Sequence, residues 1–224
     1  TLLQRFRDEA EEEGAGVALS SLARSGEIAE AALRAGAVAS LVELVRSGES
    51  DEKEFAADFL GALAICRYCE RYDHARRTPI PPCHCHAIAR AVACAGGVAP
   101  LVELARSGES AALKKAAAGA LQSLANWDES AEAMTAAGGI AVLIELVGSV
   151  DVGESVELTT YATYALATLA GDDGDARAIV GAGGIAPLVE LMRRSECPDD
   201  LKGIVAKALL GITWEIVDDH GIAE

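Results

Sequence analysis

The phrase AGAVASLVELVRSGES, Ala35 to Ser50, returns as AGGVAPLVELARSGES, Ala95 to Ser110, with the same residue at 13 of 16 places. Shorter versions follow as AGGIAVLIELVGS from Ala137 and AGGIAPLVELMRRS from Ala182. The starts fall at 35, 95, 137 and 182, so the spacings are 60, 42 and 45. Two near-equal steps and one long one describe a unit of about 42 residues repeated in series, with about 18 extra residues lodged in one copy, and a period in this range marks a solenoid. Such a chain builds one elongated domain in which each unit touches only its neighbours.

Within the unit the apolar residues keep a helical period. Val98, Leu101, Val102 and Ala105 fall at i, i+3, i+4 and i+7 while Glu103 and Arg106 face away. Leu104 adds a second apolar edge, which suits a helix covered on more than one side. Pro100 falls in the first turn, where its missing N–H has no partner to lose. After SGES, Leu113, Ala116, Ala117, Ala120, Leu121, Leu124 and Ala125 continue the period through a longer helix. Asp128 then reads as the N-cap of a further short helix, which Gly138 and Gly139 end. Aromatic residues are only 4% of the chain against 51% hydrophobic, so the core is built from Ala, Leu, Val and Ile, side chains small enough for close helix packing. The fold class expected is all-α, with units at about 1–24 (partial), 25–65, 86–126, 127–171 and 172–214, the start of another at 215–224, and an insertion loop at 66–85.

These residues carry a resemblance. The AGGVAPLVEL phrase, the turn and the following AAAGALQSLAN are similar to armadillo repeats, particularly those of plant and algal proteins, over nearly the whole chain. The resemblance implies a right-handed α-solenoid of about five three-helix repeats whose long helices line a concave groove that binds a peptide or a partner's surface. Copies of the long helix end in GVALSSLAR, FLGALAI, ALQSLAN, ALATLAG and ALLGITW. The groove residues it implies are Ser21, Asp58, Ser123, Asn126, Tyr164, Thr168 and Lys207. Trp127 and Trp214 are expected to cover the seams between repeats instead, and Asn126 has the alternative of capping its own helix. Nuclear import carriers of this fold set a Trp and, four residues on, an Asn on successive long helices. Here the Trp position holds Val17, Asp58, Gly119, Tyr164 and Lys207, and the Asn position holds Ser21, Ala62, Ser123, Thr168 and Gly211, so neither the aromatic shelf nor the amide ladder is present. A second expectation from the resemblance is the substrate-recognition region of a ubiquitin ligase.

The formal charge of −16 disfavours broad contact with nucleic acid and favours, if anything, a basic protein or peptide. No apolar run is long enough to cross a bilayer, so membrane insertion is not expected. The long spacing comes from CRYCERYDHARRTPIPPCHCH, Cys66 to His86. Cys66 and Cys69 are spaced C-x-x-C, and with Cys83 and Cys85 they form a candidate zinc set, although the C-x-C second pair departs from the usual knuckle. The alternative is a set of reduced thiols on a surface loop. Residues 66–94 carry a net charge of +3 and the rest −19, so this loop is also a candidate to fold into its own acidic groove. GDDGD at 171–175 lacks the spacing of a calcium loop, and helix capping by Asp172 or Asp175 accounts for it. GAGG at 181–184 lies between helices and matches the AGG turn elsewhere. No catalytic residue or cofactor is assigned, because no nucleophile motif occurs and the fold offers a groove in place of a closed pocket. The cysteines suit the reducing cytoplasm or nucleus. The chain opens inside a long helix and stops at DDHGIAE, so a longer array, or ends covered by something else, is expected.

Overall fold

The computed structural model describes residues 26–65, 84–149 and 156–219. Among them are twelve helices and no strand. They fall into four triplets: α1 (Gly26–Arg34), α2 (Ala37–Ser47) and α3 (Ser50–Leu63); α4 (His84–Cys94), α5 (Val98–Ser107) and α6 (Ala111–Leu124); α7 (Asp128–Ala136), α8 (Gly139–Ser149) and α9 (Val156–Leu169); α10 (Asp173–Gly181), α11 (Ile185–Arg193) and α12 (Asp199–Asp219).

The recurring phrase is the corner of each triplet. Its first glycine, Gly36, Gly96, Gly138 or Gly183, has φ of 68°, 64°, 74° or 78°, the left-handed region that side chains with a Cβ avoid. The chain turns there by 79° between α4 and α5 and by 78° between α7 and α8. The phrase recurs because the same backbone corner must be made each time. Behind it, Val98, Leu101, Val102, Leu104 and Ala105 of α5 are all buried, as the period requires. The next turn then hands over to the long helix through a cap: the Ser110 hydroxyl accepts the Leu113 N–H at 3.1 Å. In the first triplet the same SGES letters are used one residue earlier, with Glu49 as N-cap and its N–H donating to the Glu52 carboxylate at 3.1 Å.

Successive triplets stack. The long helices α3, α6, α9 and α12 pack one on the next, α2, α5, α8 and α11 form a second row, and α1, α4 and α7 a third. Small residues let the long helices approach: a Cβ on Gly61 of α3 would lie 3.0 Å from the Ala120 Cα of α6, and one on Gly211 of α12 would lie 2.9 Å from the Ala170 carbonyl oxygen. Polar links cross the seams as well. Arg46 Nη2 donates to the carbonyls of Ala95 and Gly96 at 2.8 and 3.0 Å, and Ser130 Oγ donates to the Ala89 carbonyl at 3.1 Å.

The stack runs unbroken from the first triplet to the second, since α3 packs on α6, α2 on α5 and α1 on α4 although 18 residues separate the described segments. The second triplet begins at His84, so the last two residues of the stretch expected as loop, 84 and 85, are already helical. Cys85, Ile88, Ala89 and Val92 are fully buried at i, i+3, i+4 and i+7, which is why the helix starts there. Two other local expectations change. Asp128 is the first helical residue of α7 and Trp127 is its N-cap, without a side-chain cap. Asp172 does cap α10, accepting the Gly174 N–H at 3.0 Å, whereas Asp175 accepts the Thr135 hydroxyl across the seam at 2.8 Å.

Candidate interaction surface

Of the expected groove residues, Asp58, Tyr164 and Lys207 fall on the exposed side of the long-helix row. Each long helix buries two neighbouring stripes, one toward its own triplet and one toward the next long helix, and leaves the remainder to solvent. One solvent stripe aligns from triplet to triplet and reads Asp58, Gly119, Tyr164, Lys207. Asp58, Tyr164 and Lys207 are exposed, Tyr164 to 39%. Gly119 is half-buried, and its open side faces the Tyr161 ring, whose Cε2 would be 3.4 Å from an added Cβ.

One turn further along, at the positions holding Ala62, Ser123, Thr168 and Gly211, the side chains are used internally. Ser123 is 1% exposed and donates its hydroxyl to the Gly119 carbonyl at 3.0 Å. Thr168 donates to the Tyr164 carbonyl at 3.0 Å. Such back-bonding to the preceding turn satisfies a hydroxyl within its own helix. Ser123 therefore does not line the surface. Asn126, half-buried, donates to the carbonyls of Gln122 and Ser123, both at 3.3 Å, so its amide closes the end of α6. Ser21 lies outside the described residues.

The two tryptophans part company. Trp127 is 8% exposed, with its ring stacked on that of His86 at 5.1 Å between centroids, so it does cover the seam between the second and third triplets. Its indole N–H has no hydrogen-bond partner among the described residues. Trp214, by contrast, is 63% exposed and stands seven residues after Lys207 on the same face of α12. Leu210 beside it is 64% exposed. The α9–α12 end of the wall thus carries two exposed rings, Tyr164 on α9 and Trp214 on α12, together with Lys207.

At the other end the wall is charged. Burial raises the Asp58 carboxyl above its ordinary value of 3.8, the nearby Glu54 raises it further, and Lys115 of the next long helix pulls it back. Glu54 and Lys115 were missed in the sequence, although both occupy the position one turn before the Asp58 stripe and an i−4 extension of that stripe finds them.

Of the zinc candidates, Cys66, Cys69 and Cys83 lie outside the described residues. Cys85 is fully buried in α4 and belongs to the apolar core, so it does not face a loop site. No cluster of three metal-ligating side chains occurs among the described residues. Arg67, Arg71, Arg76 and Arg77, on which folding of the loop into the groove depends, are likewise outside the described residues. No single described helix is long and apolar enough to cross a membrane.

No family model and no curated protein matches the chain. Solved structures do. An engineered protein is 29% identical with a TM-score of 0.73, covering 90% of this chain and 72% of that one. A computationally designed armadillo repeat protein for modular peptide recognition is 22% identical with a TM-score of 0.71, covering 92% and 77%. A designed armadillo repeat protein in complex with the peptide (KR)4 is 20% identical with a TM-score of 0.72, covering 96% and 83%. Four stacked helical triplets, each turned at a left-handed glycine, together with these matches, make the chain an armadillo-like repeat protein in fold.

Proposed function

We propose that the chain is a binding scaffold that holds an extended peptide or a partner's surface along the row α3, α6, α9 and α12, without catalysing a reaction. The observation that carries this reading is the stripe Asp58, Tyr164, Lys207 with Trp214: exposed charged and aromatic side chains aligned from one long helix to the next, beside Ser123 and Thr168 hydroxyls that are bonded within their own helices. Exposed aromatic rings on a rigid scaffold supply contact area at little entropic cost. The likeness to a designed armadillo protein in complex with (KR)4 supports a peptide as the occupant. An import-carrier role is not favoured, because Ala62, Ser123, Thr168 and Gly211 offer no amide ladder for a peptide backbone. Cys94 and Cys197, which form no disulfide among the described residues, suit a reducing cytoplasm or nucleus as the place of action.

The test is selection of a random peptide library on the whole chain, with each enriched peptide then titrated against a Tyr164→Ala, Trp214→Ala double variant whose helix content is unchanged. Both rings are exposed, so the variant is expected to fold. Peptides that bind the wild type and lose at least about tenfold in the variant support the wall as the site, two aromatic contacts together being worth on the order of 1–3 kcal/mol. Binding that is indifferent to both rings places the site elsewhere on the molecule.

A further inference from the structure

Asp58, Tyr164 and Lys207 are three members of one aligned stripe, and their chemistry changes in order along the array: anionic, aromatic, cationic. No ion pair within 4.0 Å ties Asp58 or Lys207 to another described side chain. At the first end, Glu54 and Asp58 are spaced i, i+4 on one face with Lys115 of the next long helix near them, so these three groups together are net negative. At the other end Lys207 is exposed on the same stripe as Trp214. The acids that accompany the stripe, Asp51, Glu157 and Asp200, are two turns back in the first turns of their helices, about 10 Å along the axis, where they offset the positive helix ends.

Resting on the peptide-scaffold reading above, we propose that this wall reads charge order: its occupant is an extended peptide that sets a cationic side chain against Asp58, an apolar side chain on the Tyr164 ring and an anionic group against Lys207. Charge complementarity supplies the argument. A uniformly basic peptide satisfies the Asp58 end and meets repulsion at Lys207. A uniformly acidic one does the reverse. Stacked helices are about 8–10 Å apart and an extended chain advances about 3.3 Å per residue, so the span from Asp58 to Lys207, three stacking steps, is matched by roughly seven to nine residues. Opposite charges at the two ends of such a segment also fix its direction, because a reversed peptide puts like charges together at both ends.

The test uses fluorescence anisotropy with four labelled twelve-residue peptides: one with Lys in its first third, Leu and Tyr in its middle and Glu in its last third, the same sequence reversed, the same composition with charges alternating, and (KR)4 extended to equal length. One of the two segregated peptides is expected to bind about five- to tenfold tighter than the alternating and the basic peptides, the sum of two exposed ion pairs. That margin shrinks at 0.5 M salt. In the Asp58→Lys, Lys207→Asp double variant the preference between the forward and reversed peptides is expected to invert. Tightest binding by the basic peptide, an unchanged preference in the double variant, or no difference among the four overturns charge-order reading. Should a peptide bind with sensitivity to Tyr164 but without regard to charge order, the scaffold reading survives and this proposal alone fails.

Discussion

Gly61 and Gly203 both sit inside long helices, and replacing each by Ala should move stability in opposite directions. In an exposed helix interior the change from Gly to Ala gains about 1 kcal/mol by removing backbone freedom from the unfolded chain. Gly203 of α12 is in that situation, since nothing lies within 4 Å of the position its Cβ would take. Gly61 is not. Its Cβ would stand 3.0 Å from the Cα and 3.3 Å from the N of Ala120, backbone atoms that cannot rotate aside, whereas carbon atoms are at ease at about 3.5–4.0 Å. Relief requires α3 and α6 to part by about half an ångström, and a gap of that size forfeits about a quarter of the attraction at each neighbouring contact. Overpacking of this kind costs about 1–3 kcal/mol, so Gly61→Ala should be destabilising by up to about 2 kcal/mol after the propensity gain. Equilibrium urea unfolding followed by circular dichroism should separate the two variants by about 0.5–1.5 M in midpoint, taking a slope of about 2 kcal/mol/M. If both substitutions raise the midpoint equally, α3 and α6 are not in close backbone contact and the unbroken stack across residues 66–83 is wrong.

Two further outcomes follow from the seams. Arg46→Ala removes two hydrogen bonds to the corner carbonyls of the next triplet and should cost about 1 kcal/mol, while Arg106→Ala, whose guanidinium bonds, among the described residues, only Glu103 of its own helix at 2.9 Å, should cost measurably less; equal losses would refute the cross-seam clamp. Asp175 is held above the usual carboxylate value of 3.8, mainly by burial and also by Asp172 and Glu132, with the Thr135 hydroxyl opposing them. The folded state therefore binds this proton more tightly than the unfolded state, so the wild type should gain stability relative to Asp175→Asn as pH falls from neutrality through the raised carboxyl value toward 3.8. A difference between the two proteins that is flat across that window in urea midpoints would contradict the account.

Much of the architecture was legible because each triplet repeats the same local problem. The i, i+3, i+4, i+7 pattern at Val98, Leu101, Val102 and Ala105 identified the buried face, and the glycines located the corners without stating their left-handed φ. The start of the second triplet was obscured at His84 and Cys85, where a density of Cys and His drew attention to metal chemistry although Cys85, Ile88, Ala89 and Val92 already carried the helical pattern. The surface was less legible. Whether a Ser or Asn faces a groove depends on where its hydrogen bond goes, and Ser123 and Asn126 spend theirs on carbonyls three or four residues back, which spacing alone does not reveal. Trp127 and Trp214 look alike as letters. One is covered by His86 of the preceding triplet, and the other stands on α12, where no described helix follows to cover it.

Hydrogen exchange of the whole chain, free and saturated with a library-enriched peptide, bears most directly on the proposal that the long-helix wall is the binding surface. Slowed exchange concentrated in α3, α6, α9 and α12, with α2, α5 and α8 unchanged, is the predicted result. Protection confined to α2, α5 and α8, with the long helices untouched, would contradict it.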